Sequence, residues 1–86
     1  MISLTADGSA EAIQHAGGKL FINPTGNLGG GALKLFTSHL DDELKEAYTF
    51  EALNAPIVFE IPADWQWQLR LSGSTDPNLA IDWGRI

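Results

Sequence analysis

The segment Trp65 to Leu71 reads Trp-Gln-Trp-Gln-Leu-Arg-Leu, a strict alternation of large apolar and polar residues over seven positions. Successive side chains of a strand point to opposite faces, so Trp65, Trp67, Leu69 and Leu71 share one face and Gln66, Gln68 and Arg70 the other. One dry face and one wet face place this strand in an antiparallel sheet that is covered on one side only. No other segment constrains the fold as tightly.

The rest of the chain is cut into short pieces by nine glycines and four prolines. Asn23-Pro24-Thr25-Gly26 carries Asn, Pro and Gly where a type I turn favours them, and Ile61-Pro62-Ala63-Asp64 and Asp76-Pro77-Asn78-Leu79 again set proline for a turn. Strands are expected between these marks, near 2–5, 11–15, 19–22, 32–36, 47–50, 56–61, 65–72 and 79–83. Eight short strands with frequent turns predict an all-β fold, a small antiparallel β-sandwich or jelly-roll-like domain spanning residues 1–86. The stretch 38–47 admits two readings. Ser38 as a cap, acids in the first turn and Leu40, Leu44 and Tyr48 at four-residue spacing suit a short helix; an acidic hairpin loop between two strands suits the same residues.

An 86-residue chain buries only roughly 60 to 65% of the surface that it exposes when unfolded. Its expected net stability is about 4 to 13 kcal/mol. Small domains often add disulfides or a structural metal, yet this sequence has no cysteine and only two histidines, His15 and His39. Oligomerisation, or docking on a larger body, is the remaining expectation. Eleven acids against five scattered bases give a net charge of −6, which repels polyanions and argues against a nucleic-acid partner. The opening Met-Ile-Ser-Leu-Thr-Ala-Asp-Gly has neither the basic stretch nor the apolar run of a signal peptide. No segment is long and apolar enough to span a bilayer. The expectation is a soluble product of an intracellular compartment, with no membrane partner.

Constellations that carry chemistry are incomplete. The glycine patch 26–31 is followed by Ala32-Leu33 where a phosphate loop needs Lys and then Ser or Thr, so it reads as a turn or bulge where backbones approach closely. Asp41, Asp42, Glu43 and Glu46 lack the spacing and the central glycine of a calcium loop and read as a solvated acidic surface. The two histidines have no partner at zinc-site spacing. Ser72-Gly73-Ser74 lacks the elbow of a serine nucleophile. The expectation is therefore no catalytic residue, no metal and no cofactor.

Trp65 and Trp67 share the parity of Leu69 and Leu71, which points them to the core, while Trp83 continues the apolar parity of Leu79 and Ile81 close to the chain end. Apolar residues near strand and chain ends are candidates for subunit contacts: Ile2, Leu4, Leu40, Leu44, Trp83 and Ile86. Tryptophans also stack on sugars, so a carbohydrate-binding sandwich using Trp65, Trp67 or Trp83 is the competing expectation.

Several runs, taken together, resemble the small β-rich virion proteins of tailed bacteriophages, of the capsid decoration, cement or head-fibre type. They are Leu4-Thr5-Ala6-Asp7-Gly8-Ser9, the glycine patch leading into Ala32-Leu33-Lys34-Leu35-Phe36, then Phe59-Glu60-Ile61-Pro62-Ala63, Trp67-Gln68-Leu69-Arg70-Leu71-Ser72-Gly73-Ser74, and the strand after Asp76-Pro77-Asn78-Leu79. This sequence departs from that pattern at Ile61, at Ser74 and in the acidic stretch 38–47. The resemblance implies a non-enzymatic virion structural protein that docks on the major capsid protein or another virion component, a tail or fibre adaptor being the near alternative. It also implies a symmetric homo-oligomer, favouring a trimer.

Overall fold

The computed structural model describes residues 2–15, 17–50 and 53–85. Nine strands run in chain order: β1 Ile2–Leu4, β2 Gly8–Ser9, β3 Ile13–His15, β4 Lys19–Asn27, β5 Ala32–His39, β6 Lys45–Phe50, β7 Ile57–Glu60, β8 Trp65–Ser72 and β9 Asn78–Arg85. They form two antiparallel sheets, β1-β9-β4-β7 and β2-β8-β5-β6, with β3 also paired to β8. β2 and β3 lie end to end along the same edge of β8, bridged by an Ala10 N–H that donates to the Leu69 carbonyl at 2.9 Å. Counted as one interrupted strand, they leave eight strands in sheet orders 1-8-3-6 and 2-7-4-5, the double wind of a jelly roll. Among the described residues only the β5–β6 hairpin turns back within one sheet; every other connection crosses to the opposite sheet.

The alternation in β8 sets the core. Trp67, Leu69 and Leu71 are buried, and they meet Leu33, Leu35 and Phe50 of their own sheet and Leu20, Ile22, Leu79 and Ile81 of the other. Trp67 packs its ring edge-to-face with Trp83, centroids 5.1 Å apart, which ties the sheets together through their largest side chains. On the wet face of β8 the polar residues are engaged in hydrogen bonds with one another and with neighbouring segments. Gln66 donates to the Ser38 hydroxyl at 3.1 Å, Gln68 to the Ala10 carbonyl at 2.8 Å, and Arg70 Nε to Gln68 Oε1 at 2.8 Å.

One expectation is corrected, and the two readings of 38–47 are decided in favour of the hairpin loop. Asn23-Pro24-Thr25-Gly26 is not a turn; β4 runs straight through it in register with Ala80, Ile81 and Asp82 of β9. Proline is tolerated there because the Pro24 carbonyl points away from β9, accepting the Asn54 N–H at 2.7 Å. The N–H and C=O of one strand residue face the same edge, so the missing proton falls where β7, which pairs no further along β4 than Ile22, makes no demand. The stretch 38–47 holds no helix. Ser38 and His39 end β5 opposite Gln66 and Trp65, an Asp42 N–H to the His39 carbonyl (2.9 Å) closes the turn, and β6 begins at Lys45. The Ser38 hydroxyl, which a helix would use as its cap, is instead directed to the His39 and Asp42 carbonyls. Tyr48, part of the four-residue spacing, faces inward from β6 opposite Leu35.

The glycine patch is a close-approach device. A Cβ on Gly31 would fall 2.8 Å from Ser74 Cβ, and the Thr75 N–H donates to the Gly29 carbonyl at 2.9 Å, so the 26–31 loop lies flat on the 72–75 loop. At the same end Asp7 clamps that second loop, accepting Gly73 N–H at 3.1 Å, Ser74 N–H at 3.0 Å and the Ser74 hydroxyl.

Candidate functional site

The sheets differ in how they end. On one side of the sandwich β6 closes one sheet and β7 the other, each paired along one edge only among the described residues. An aromatic cluster stands between them. Tyr48 and Phe50 from β6 and Phe59 from β7 meet edge-to-face, with centroids 5.1 Å apart for Tyr48–Phe50, 5.3 Å for Tyr48–Phe59 and 6.1 Å for Phe50–Phe59. Phe50 is buried, whereas Tyr48 and Phe59 are half-buried and open toward solvent. Strand alternation turns Val58 to the outer face, where it is 50% exposed beside Phe21, which lies over Gly84. The result is an apolar strip running from the outer face of one sheet around to an unpaired edge.

The edge itself is guarded along half its length. The register slips between Leu35 and Phe36, making Ala47 an inserted residue in β6, and Lys45 and Glu46 lie beside this bulge. Bulges and charges are the devices that keep edge strands from pairing with other chains. Tyr48 to Phe50 has neither.

The end of the β5–β6 hairpin forms a second feature. Thr37, Ser38, His39, Asp42, Glu43, Lys45, Glu46 and Trp65 line a cavity of about 230 Å³. His39 stands edge-on to Trp65 at 6.4 Å, and its Nδ1 lies 3.8 Å from an Asp41 carboxylate oxygen. Among the described residues no group of three or more histidine or acidic side chains converges as metal ligands. A larger concavity of about 460 Å³ lies at Gly18, Lys19, Glu60, Ile61 and Pro62, where Lys19 and Glu60 face each other across β4 and β7.

The candidates from sequence fall in three places. Ile2 and Leu4 lie on β1, where Leu4 is a core residue at 9% exposure. Trp83 is half-buried, turned inward onto Trp67. Leu40 is exposed at the hairpin tip and Leu44 is half-buried beside it, on the other sheet. Ile86 lies outside the described residues. For sugar stacking, Trp67 is out of reach at 0% exposure, and Trp65 is the indole beside a polar cavity. The strip at Tyr48, Val58 and Phe59 is absent from the candidates read from sequence, because which strands become edges is set by strand order. Comparison with protein-family models, with curated proteins and with solved structures gave no match.

Proposed function

We propose that this chain is a non-enzymatic structural protein of a bacteriophage virion, which docks as an oligomer on the major capsid protein or another virion protein and adds interface area to the particle. The observation that supports it is the open side between β6 and β7, where an edge guarded along only half its length lies together with half-buried Tyr48 and Phe59 and half-exposed Val58. A thin core gains most from neighbours that cover such an edge. The jelly roll is compatible with the reading, since that architecture serves viral capsid domains; it serves lectins as well, so fold alone does not decide.

The experiment is light scattering behind size-exclusion chromatography, paired with co-sedimentation on tailed-phage heads. The wild-type chain is expected to self-associate and to pellet with the heads. Val58→Lys, which places a charge on the strip at a half-exposed position, should give a smaller species that no longer pellets with the heads while leaving the unfolding temperature in place. A wild-type monomer that ignores particles overturns the reading. The carbohydrate-binding alternative has one observation in its favour, Trp65 beside the acidic 230 Å³ cavity, and glycan-dependent quenching of tryptophan emission would favour it.

A further inference from the structure

The outer face of the sheet containing β5 and β8 carries a cation that has no counterion among the described residues. Arg70 and Lys34 sit directly opposite each other on β8 and β5, an arrangement of like charges that destabilises a sheet unless something neutralises it. Lys34 is neutralised: its Nζ is 2.8 Å from a Glu46 carboxylate oxygen. Among the described residues no carboxylate lies within ion-pair distance of Arg70. This is unexpected in a chain with eleven acids and five bases.

The guanidinium of Arg70 is also held in place. Its Cζ lies 4.0 Å above the centroid of the Phe36 ring, and its Nε donates to Gln68 Oε1, while Gln68 is itself tied to the backbone of Ala10. Stacking and the Nε hydrogen bond fix the plane of the group and leave its terminal nitrogens as a fork suited to a carboxylate. Beside it, half-buried Phe36 offers an apolar floor. The face is thus a rigid platform of one apolar ring and one guanidinium fork.

The complementary shape occurs on the same chain. The tip of the β5–β6 hairpin presents exposed Leu40, at 38%, followed by exposed Asp41, Asp42 and Glu43. Its backbone is fixed by the Leu40 N–H donating to the Asp64 carbonyl at 3.1 Å and by the Asp42–His39 turn bond. It is a stiff acidic knob with one apolar side chain.

We infer that the hairpin tip of one copy docks on the Arg70–Phe36 platform of the next, with Leu40 on the ring and the tip carboxylates on the guanidinium. The proposal rests on the reading of the chain as a self-associating protein and adds a second contact, separate from the open side between β6 and β7. The contact is head-to-tail, so successive copies form a closed ring or a filament. Being led by exposed charges, it weakens with salt.

The test uses two single-surface variants, Arg70→Glu and the triple Asp41→Lys/Asp42→Lys/Glu43→Lys, followed by sedimentation velocity at low and high salt, with circular dichroism to verify folding. Each variant alone should lose association at least tenfold. Mixed in equal amounts they should associate again, because the intact knob of the first meets the intact platform of the second and the reversed pair is also complementary. Wild-type association should fall at least tenfold from low to high salt. Wild-type oligomers that ignore both variants overturn this contact and leave the edge reading standing. Salt-dependent oligomers that the mixture restores, but that do not pellet with phage heads, support the contact and count against the virion reading. A wild type monomeric at every salt concentration overturns both.

Discussion

Gly26 lies inside β4, opposite Leu79, with φ of +110°, a conformation that L-residues with a side chain rarely adopt. A Cβ built there would sit on the Asn78 carbonyl oxygen, with the Asn78 carbonyl carbon at 3.1 Å and Leu79 Cα at 3.3 Å. These are backbone atoms of β9, so no side chain can rotate away; β4 and β9 must separate. Gly30 provides the control, since its φ is +79° but nothing stands within 4 Å of its absent Cβ. Gly30→Ala should therefore cost only the strain of a left-handed alanine, about 1 to 2 kcal/mol. Gly26→Ala carries comparable strain plus an overpacking term of about 1 to 3 kcal/mol, together about 2 to 5 kcal/mol. Against a total of about 4 to 13 kcal/mol for a domain of this length, that is a large fraction. Each kcal/mol moves the midpoint of a domain this small by about 4 to 8 °C. Thermal and urea unfolding of the two variants side by side measure the difference. If Gly26→Ala unfolds with wild type or with Gly30→Ala, the close β4–β9 approach is not what the glycine provides.

Phe59→Ala removes two edge-to-face contacts and a half-buried ring; it should cost about 2 kcal/mol in urea denaturation, less than the 3 to 5 typical of a fully buried phenylalanine, and a loss under about 0.5 kcal/mol would mean that the β6–β7 cluster is not packed. The Ser74 hydroxyl, with the Ser74 and Gly73 amides, holds the Asp7 carboxyl below its usual value of 3.8 against the opposing effect of desolvation. A carboxylate with a lowered folded-state pKa stabilises fully above the unfolded value and loses that contribution as pH falls through the folded one. The gap in unfolding temperature between wild type and Asp7→Ala should be widest near neutrality and narrow below about pH 4; a gap unchanged down to about pH 2 contradicts the clamp. Tryptophan emission should be blue-shifted, because Trp67 is buried and Trp83 lies against it, and Trp65→Phe should remove whatever red component remains.

The sandwich was legible in the sequence because its strongest signal is physical: β8 alternates, and the residues of one parity are the core. The turn at 61–64 and the close-packed glycine loop were equally readable, since proline and glycine act locally. Pro24 was misleading for the same reason. Its preference for a turn is local, whereas its tolerance in β4 depends on β7 ending at Ile22, a tertiary fact. The stretch 38–47 left two readings open because leucine spacing and an acidic first turn are compatible with a helix; pairing of Ser38 and His39 with β8 decided it. The exposed strip was hidden for a deeper reason. Tyr48 and Phe59 have core composition, and which strands become edges is set by strand order.

Edge protection that stops half-way along a strand gives the sharpest test of the open side. In β6 the bulge at Ala47 and the charges of Lys45 and Glu46 already break any pairing with a second chain, whereas Tyr48 to Phe50 continues in regular register with Leu35 to Leu33. A neighbour completing the sheet must therefore engage the second half of β6. Thr49 is exposed in the middle of that half and lies opposite Lys34, so Thr49→Glu adds a favourable cross-strand charge pair within the domain while placing a carboxylate where a partner strand would lie. Ala47→Glu puts the same charge two residues away, at the bulge. If the edge is the assembly surface, light scattering should show Thr49→Glu as a smaller species of undiminished stability and Ala47→Glu as unchanged. Equal effects of the two variants would mean that charge alone, and not strand pairing, governs association.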